Sequence, residues 1–294
     1  MGKVDILQLV SACLQLAEES GDIIRGIFNS GSLGVQYKAE DDPFTIADVK
    51  SQQHIIGGLL KLWKDLRIVG EENCDIPPVD VTPKTDRLEE YRDKLPKELV
   101  DGIEESELLL FLDPLDATRE FTKGRVECVM TLLGISYRGK PIAGVIYQPF
   151  INDNKGRSVW AVVGMPVVGL LDKRAPEDRD KVILVTSASH YDERVDRATK
   201  KINPDKVIRT GGAGFKILMI IENLADVYIF PTVGSKLWDI CAPHAVLLAV
   251  GGTLTDPSGK DIIYSDQPEL IENKNGIVIT IGNHQKYIQL LNQE

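Results

Sequence analysis

Five consecutive apolar residues, Leu108-Leu109-Leu110-Phe111-Leu112, run directly into Asp113-Pro114-Leu115-Asp116-Ala117-Thr118. An uninterrupted apolar run of that length reads as a buried strand. Nothing in packing asks for two carboxylates at the end of such a strand, because desolvating unpaired negative charge is costly. A hard divalent cation removes the cost, since Mg²⁺ takes oxygens from a few carboxylates and from substrate phosphate. Two more acids are expected to join them: Glu71, after the short strand Arg67-Ile68-Val69, and Asp239, at the head of a late helix.

The bulk properties narrow the partner. The chain has 294 residues, enough for one large domain or two modest ones. A formal charge of −10 disfavours a nucleic-acid polymer, because no basic stripe offsets phosphate repulsion. A small anionic substrate stays open, since bound metal ions invert the local field. Cys13, Cys74, Cys128 and Cys241 are scattered, with no pair at C-x-x-C spacing, so spacing speaks against a zinc cluster. Four unpaired thiols and no signal-like N-terminus suit a reducing cytoplasm. No apolar run reaches membrane-spanning length.

Along the chain, apolar spacing predicts a helix over residues 4–28, interrupted near Gly21, and a second after Asp48 carrying Ile55, Ile56, Leu59, Leu60 and Trp63. Residues 75–107, with Pro77, Pro78, Pro83 and many charges, read as a surface excursion with one or two short helices. Strands are expected at 130–136, 142–147, 158–163 and 167–171. The charged stretch Asp172–Lys181 is the best linker. Beyond it strands (182–186, 206–209, 227–230, 277–281) alternate with helices near 191–201, from Gly214 and over 239–250, which favours α/β layers.

Each candidate residue has a plainer role available. Asp113 and Asp116 could form an Asx-turn or a cap, although strand C-termini are where α/β ligand sites form. Glu71 and Glu72 could be surface charges, or one a ligand and the other its solvated partner. Asp239 could be a helix N-cap. Gly211-Gly212-Ala213-Gly214-Phe215-Lys216 could be a tight turn, or backbone N–H groups cradling a phosphate with Lys216 one turn later. Its spacing is not that of an NTPase loop. His190, after Ser187-Ala188-Ser189, could contact a ligand or cap a helix.

Taken together, Gly70-Glu71-Glu72, Asp113-Pro114-Leu115-Asp116-Ala117-Thr118 and Trp238-Asp239-Ile240-Cys241-Ala242-Pro243 resemble the lithium-sensitive, Mg²⁺-dependent phosphatase superfamily of inositol monophosphatase and fructose bisphosphatase. Ile46-Ala47-Asp48, Ser189-His190, the glycine turn to Lys216 and Gly234-Ser235-Lys236 resemble its 3′(2′),5′-bisphosphate nucleotidase branch, over nearly the full length. The resemblance implies an αβαβα layered sandwich, α/β and α+β in class. It also implies an N-terminal α+β domain with the metal site (1–176) and a C-terminal α/β domain with the nucleotide-binding residues (177–294).

By position, the resemblance assigns Glu71, Asp113, the Leu115 carbonyl, Asp116 and Asp239 to two or three Mg²⁺ ions. Thr118 would hydrogen-bond the attacking water, and Asp48 would accept from Thr118. Ser189, His190, Gly212, Lys216 and Lys236 would line the pocket for the nucleoside and its second phosphate. The implied reaction is hydrolysis of the 3′ (or 2′) phosphate of 3′-phosphoadenosine 5′-phosphate to AMP, in the cytoplasm and in sulfur metabolism, with lithium inhibition. The implied partner is a small bisphosphorylated nucleotide, with no nucleic-acid polymer and no membrane, and the working expectation is a monomer. An inositol polyphosphate 1-phosphatase and a non-catalytic nucleotide sensor are the alternatives. One departure stands out: the family has Gly where this chain has Ala117, so a positive φ there would strain the loop by about 1 kcal/mol.

Overall fold

A computed structural model describes residues 2–40, 42–171, 180–188 and 192–293. Helix Ile6–Ser30 opens on Asp5, whose carboxylate accepts from the Leu7 and Gln8 N–H groups, and closes on Gly31 at φ 69°. It is not interrupted at Gly21. A Cβ there would overlap the Tyr147 ring, so the glycine admits a neighbouring strand's side chain and leaves the helix intact. The next helix, Ile46–Leu62, begins before Asp48 and not after it, because Thr45 is its N-cap and Asp48 its N3 residue in a capping box.

These two helices cover one face of a five-stranded sheet. Its order is 67–70, 108–116, 130–137, 140–148, 157–162, with the first pair parallel and the rest antiparallel. All nine residues of Leu108–Asp116 are buried. The strand expected at 167–171 is absent: Pro166 and Gly169 at φ 87° leave only a bridge between Trp160 and Val168. The excursion at 75–107 is not wholly superficial. Leu88, Leu95, Leu99 and Ile103 are buried in the same core as the first helix, spaced among charges that hide the pattern.

On the sheet's other face lie helices Ala213–Ile221 and Leu237–Ala249, then a second sheet in the order 206–210, 183–187, 227–230, 277–280, 253–255. The first two of its pairings are parallel and the last two antiparallel. Helices Glu193–Ile202 and His284–Asn292 close the outer face through Ala198, Ile202, Tyr287 and Ile288. The result is the five-layer αβαβα sandwich. Its middle layer is one apolar core drawn from both halves of the chain, with Phe111 and Met130 sharing a cluster with Ile217, Ile240 and Cys241. The expected boundary at 176/177 and most of the linker lie outside the described residues.

The middle helix approaches the first sheet closely because two facing strand positions are glycine. A Cβ at Gly134 or Gly144 would strike the Cys241–Ala242 segment. That approach brings the N-terminal turn of Leu237–Ala249 over the end of Leu108–Asp116.

Candidate active site and metal centre

The carboxyl ends of strands 67–70 and 108–116, the start of helix Leu237–Ala249 and the Gly211–Lys216 turn enclose a cavity of about 700 Å³. Glu71, Asp113, Leu115, Asp116, Thr118, Gly212, Lys216, Lys236 and Asp239 all line it. Asp48 is fully buried behind Thr118. Ser189 and His190 lie outside the described residues.

Local geometry holds each acid. Asp113 Oδ1 accepts from the Leu115 N–H at 3.0 Å, so the Asx-turn forms and leaves the rest of the carboxyl facing Glu71, Asp116 and Asp239. Asp116 accepts from the N–H groups of Ala213 (3.1 Å) and Gly214 (2.8 Å). The N-terminus of helix Ala213–Ile221 is therefore capped by a carboxylate from the other half of the chain. Two of the turn's N–H groups that were candidates for a phosphate are thus taken by Asp116. Glycine is required here twice: Gly212 has φ 72°, and a Cβ at Gly214 would sit 2.9 Å from Asp116 Oδ2.

Asp239 is not the N-cap but the third helical position, accepting from the Lys236 N–H at 2.7 Å. Glu71 follows a strand whose terminal Gly70 leaves room for Gln52, and Gln52 Oε1 accepts from the Glu72 N–H at 2.9 Å. Glu72, read as a possible solvated partner, is instead buried and takes Lys38 Nζ at 2.6 Å. The same ammonium reaches Glu71 at 2.9 Å. Sequence reading missed Lys38, because the short strand Gln36–Ala39 that carries it is exposed and has no apolar periodicity to mark it.

The charges are strained by enclosure. Burial, then repulsion from Glu71, Asp116 and Asp239, pushes the Asp113 carboxyl well above the usual carboxylate range. Asp239 keeps part of its surface open to the cavity, but its carboxyl is enclosed and is raised well above its ordinary value by burial, then by Glu71 and Asp116. Burial also raises Asp116, but Lys216 and the two N–H donors hold it to about 6. Lys216 is itself buried, donates to the Gly212 carbonyl at 2.6 Å and lies 5.3 Å from the Tyr228 ring centroid. Burial lowers its ammonium to about 8.

Asp48 is raised to about 6, chiefly by burial. Its Oδ2 accepts from the Thr45 N–H (2.7 Å) and hydroxyl (2.6 Å), leaving Oδ1 for Thr118 Oγ1 at 2.9 Å. Thr118 Oγ1 is also 2.9 Å from the Leu115 carbonyl, so its one proton has two acceptors on the protein side. Ala117, which starts the helix Thr118–Thr122, has φ 74° and ψ 38°. The strained left-handed alanine foreseen as a condition is thus observed.

Among the described residues no group of three or more His, Cys, Asp or Glu side chains is already drawn together tightly enough to hold an ion. The donor chemistry nevertheless fits a hard divalent cation. Three enclosed carboxylates and a carbonyl offer oxygen only, and Asp113 and Asp239 stay raised even though Lys216 and Lys236 lie nearby, which marks negative charge that the lysines do not offset.

Comparison with known proteins agrees with the architecture. The chain matches the inositol monophosphatase family over residues 5–294. A 3'(2'),5'-bisphosphate nucleotidase 1 of Dictyostelium discoideum is 60% identical, the alignment covering 98% of this chain and 97% of that one. The Homo sapiens protein of the same name is 36% identical over 96% of this chain and 93% of its own. Among solved structures, extragenic suppressor protein suhB of Bartonella henselae superposes with a TM-score of 0.72 at 19% identity, covering 97% of this chain and 98% of that chain. An IMPase of Thermotoga maritima gives 0.69 at 18%, covering 95% of each. On the layered fold and these full-length matches, the chain belongs to the inositol monophosphatase family.

Proposed function

We propose that this chain is a Mg²⁺-dependent 3′(2′),5′-bisphosphate nucleotidase that hydrolyses the 3′ (or 2′) phosphate of 3′-phosphoadenosine 5′-phosphate, giving AMP and orthophosphate. The observation that carries the reading is the convergence of Glu71, Asp113, Asp116 and Asp239 in one cavity beside the Thr118–Asp48 pair. The names of the 60% and 36% identical relatives support the choice of substrate.

Glu71, Asp113, Asp116, Asp239 and the Leu115 carbonyl would hold two or three Mg²⁺ ions. When bound, these supply neutralisation of phosphoryl oxygens and a lowered pKa for water. Thr118 commits its proton to Asp48 or to Leu115 and so turns an oxygen lone pair to the cavity, where it can accept from the attacking water and fix its direction. Thr45 holds Asp48 in place by spending both donors on its far oxygen. Lys216, fixed by the Gly212 carbonyl, and Lys236 at the rim give the cavity positive charge for the second phosphate. By the resemblance, Ser189 and His190 would contact the same nucleotide.

Lithium sensitivity, a cytoplasmic place in sulfur metabolism and a monomeric state form part of this reading. The four cysteines are unpaired, which suits a reducing compartment. No helix among the described residues is long and apolar enough to cross a membrane.

The experiment is a phosphate-release screen over 3′-phosphoadenosine 5′-phosphate, inositol 1,4-bisphosphate and AMP, with Mg²⁺ and with chelator. The nucleotide bisphosphate should give the highest kcat/KM, and only with Mg²⁺. A higher value on the inositol bisphosphate would reassign the substrate, and tight nucleotide binding without any release would make the chain a sensor.

A further inference from the structure

At the cavity rim, Ser235–Lys236 pairs antiparallel with Glu272–Asn273, setting Lys236 directly opposite Glu272. Asn273 is buried and donates to Ser235 Oγ at 3.3 Å and to the Gly276 carbonyl at 3.0 Å, which pins the register from below. Lys236 Nζ donates to Glu272 Oε1 at 2.7 Å. The two side chains are 36% and 41% exposed, so solvent screens the pair. The hydrogen bond from Lys236 holds the Glu272 carboxyl below its ordinary pKa. The same Lys236 reaches the carboxylate floor through its N–H to Asp239.

A lysine that lines a cavity for anions, yet is clamped by a carboxylate, must exchange one anion for another when ligand arrives. A screened pair is weak enough for a phosphate dianion to displace. We propose that Glu272 is a displaceable counter-ion. It holds Lys236 at the rim in the free enzyme, yields it to the second, non-reacting phosphate of a nucleoside bisphosphate, and recaptures it as the product leaves. Glu272 thereby sets how strongly two phosphates are preferred over one and how quickly the 5′-phosphate product is shed. The inference rests on the nucleotidase reading above.

Glu272→Gln removes the competitor and keeps the backbone ladder. It should lower KM for 3′-phosphoadenosine 5′-phosphate, and Kd for AMP by calorimetry, about two- to fivefold, the range a screened pair supplies. KM for adenosine 3′-phosphate, which lacks the second phosphate, should not fall. The effect should vanish when Glu272→Gln is added to Lys236→Met. An equal drop for both substrates, or a drop that persists without Lys236, would overturn the proposal and leave Glu272 a general surface charge. If the wild-type enzyme releases no phosphate from the bisphosphate, the nucleotidase reading fails on its own, and the AMP calorimetry on the same four proteins still decides whether Glu272 competes for Lys236.

Discussion

On the floor of the cavity Asp113 and Asp239 are enclosed, and neither has a lysine or arginine bridge among the described residues. Toward the rim three carboxylates have one: Glu71 and Glu72 share Lys38, and Glu272 holds Lys236. Glu272 is lowered by its lysine, whereas Asp113 and Asp239 rise well above the usual carboxylate range. Asp113 and Asp116 repeat the contrast within a single turn. Asp116 has two N–H donors and Lys216 and rises only to about 6, while Asp113 has one N–H donor, faces three acids and rises further. Nearly identical chemistry three residues apart is separated by what the rest of the fold places opposite. The charge left uncompensated lies where a cation and a phosphate would meet.

The sharpest way to break the comparison is Asp113→Asn. The amide still accepts from the Leu115 N–H but brings no charge. Phosphate release should fall by about a thousandfold, since several kcal/mol of charge stabilisation go with the ligand. In chelator the same variant should melt a few degrees higher than wild type, because a repulsive enclosed charge is gone. A variant that stays active, or one that melts well below wild type without metal, would show that the floor carries no such repulsion.

A pH series sharpens the contrast next. Asp48 and Asp116 titrate near 6 in the fold, and Glu72, raised mainly by burial, near 7, against about 4 in an unfolded chain. The folded protein therefore binds more protons than the unfolded one in that interval, so its metal-free stability is greatest below the interval and declines as pH rises through it. The melting temperature in chelator should fall between about pH 5 and pH 7.5, and Mg²⁺ should raise it more at the upper value than at the lower. A melting temperature that climbs with pH, with a metal effect independent of pH, would contradict this account.

The smallest effect belongs to the loop between the two regions. Ala117→Gly relieves a left-handed alanine, but glycine costs entropy on folding. The two terms differ by up to about 1 kcal/mol in favour of glycine. Melting should rise by a few degrees at most, and a fall would mean that the alanine methyl group makes contacts worth more than the strain.

Much of this was legible in the residues. The all-apolar run 108–112 announced a buried strand, and the alternation after residue 182 announced layers, because burial and periodicity are written locally. Boundaries shifted where a cap decided them. Thr45 rather than Asp48 starts its helix, and Asp239 sits at the third position rather than the cap. The false break at Gly21 and the false strand at 167–171 have a common cause: a glycine's meaning depends on the neighbour it admits. At Gly21 that neighbour is Tyr147, and at Gly169 it is the Ser158 carbonyl, which a Cβ would overlap.

By itself, the sequence determined that acids would stand at strand ends and helix heads and that the core would be layered, since side-chain polarity and spacing act through near neighbours. Only the tertiary structure decided that Asp116 caps a helix 97 residues away, that Lys38 bridges two glutamates and that Glu272 faces Lys236. Those pairings follow from how two sheets and a glycine-seated helix converge. A charge's partner is set by distance in space, which the order of residues along the chain does not carry.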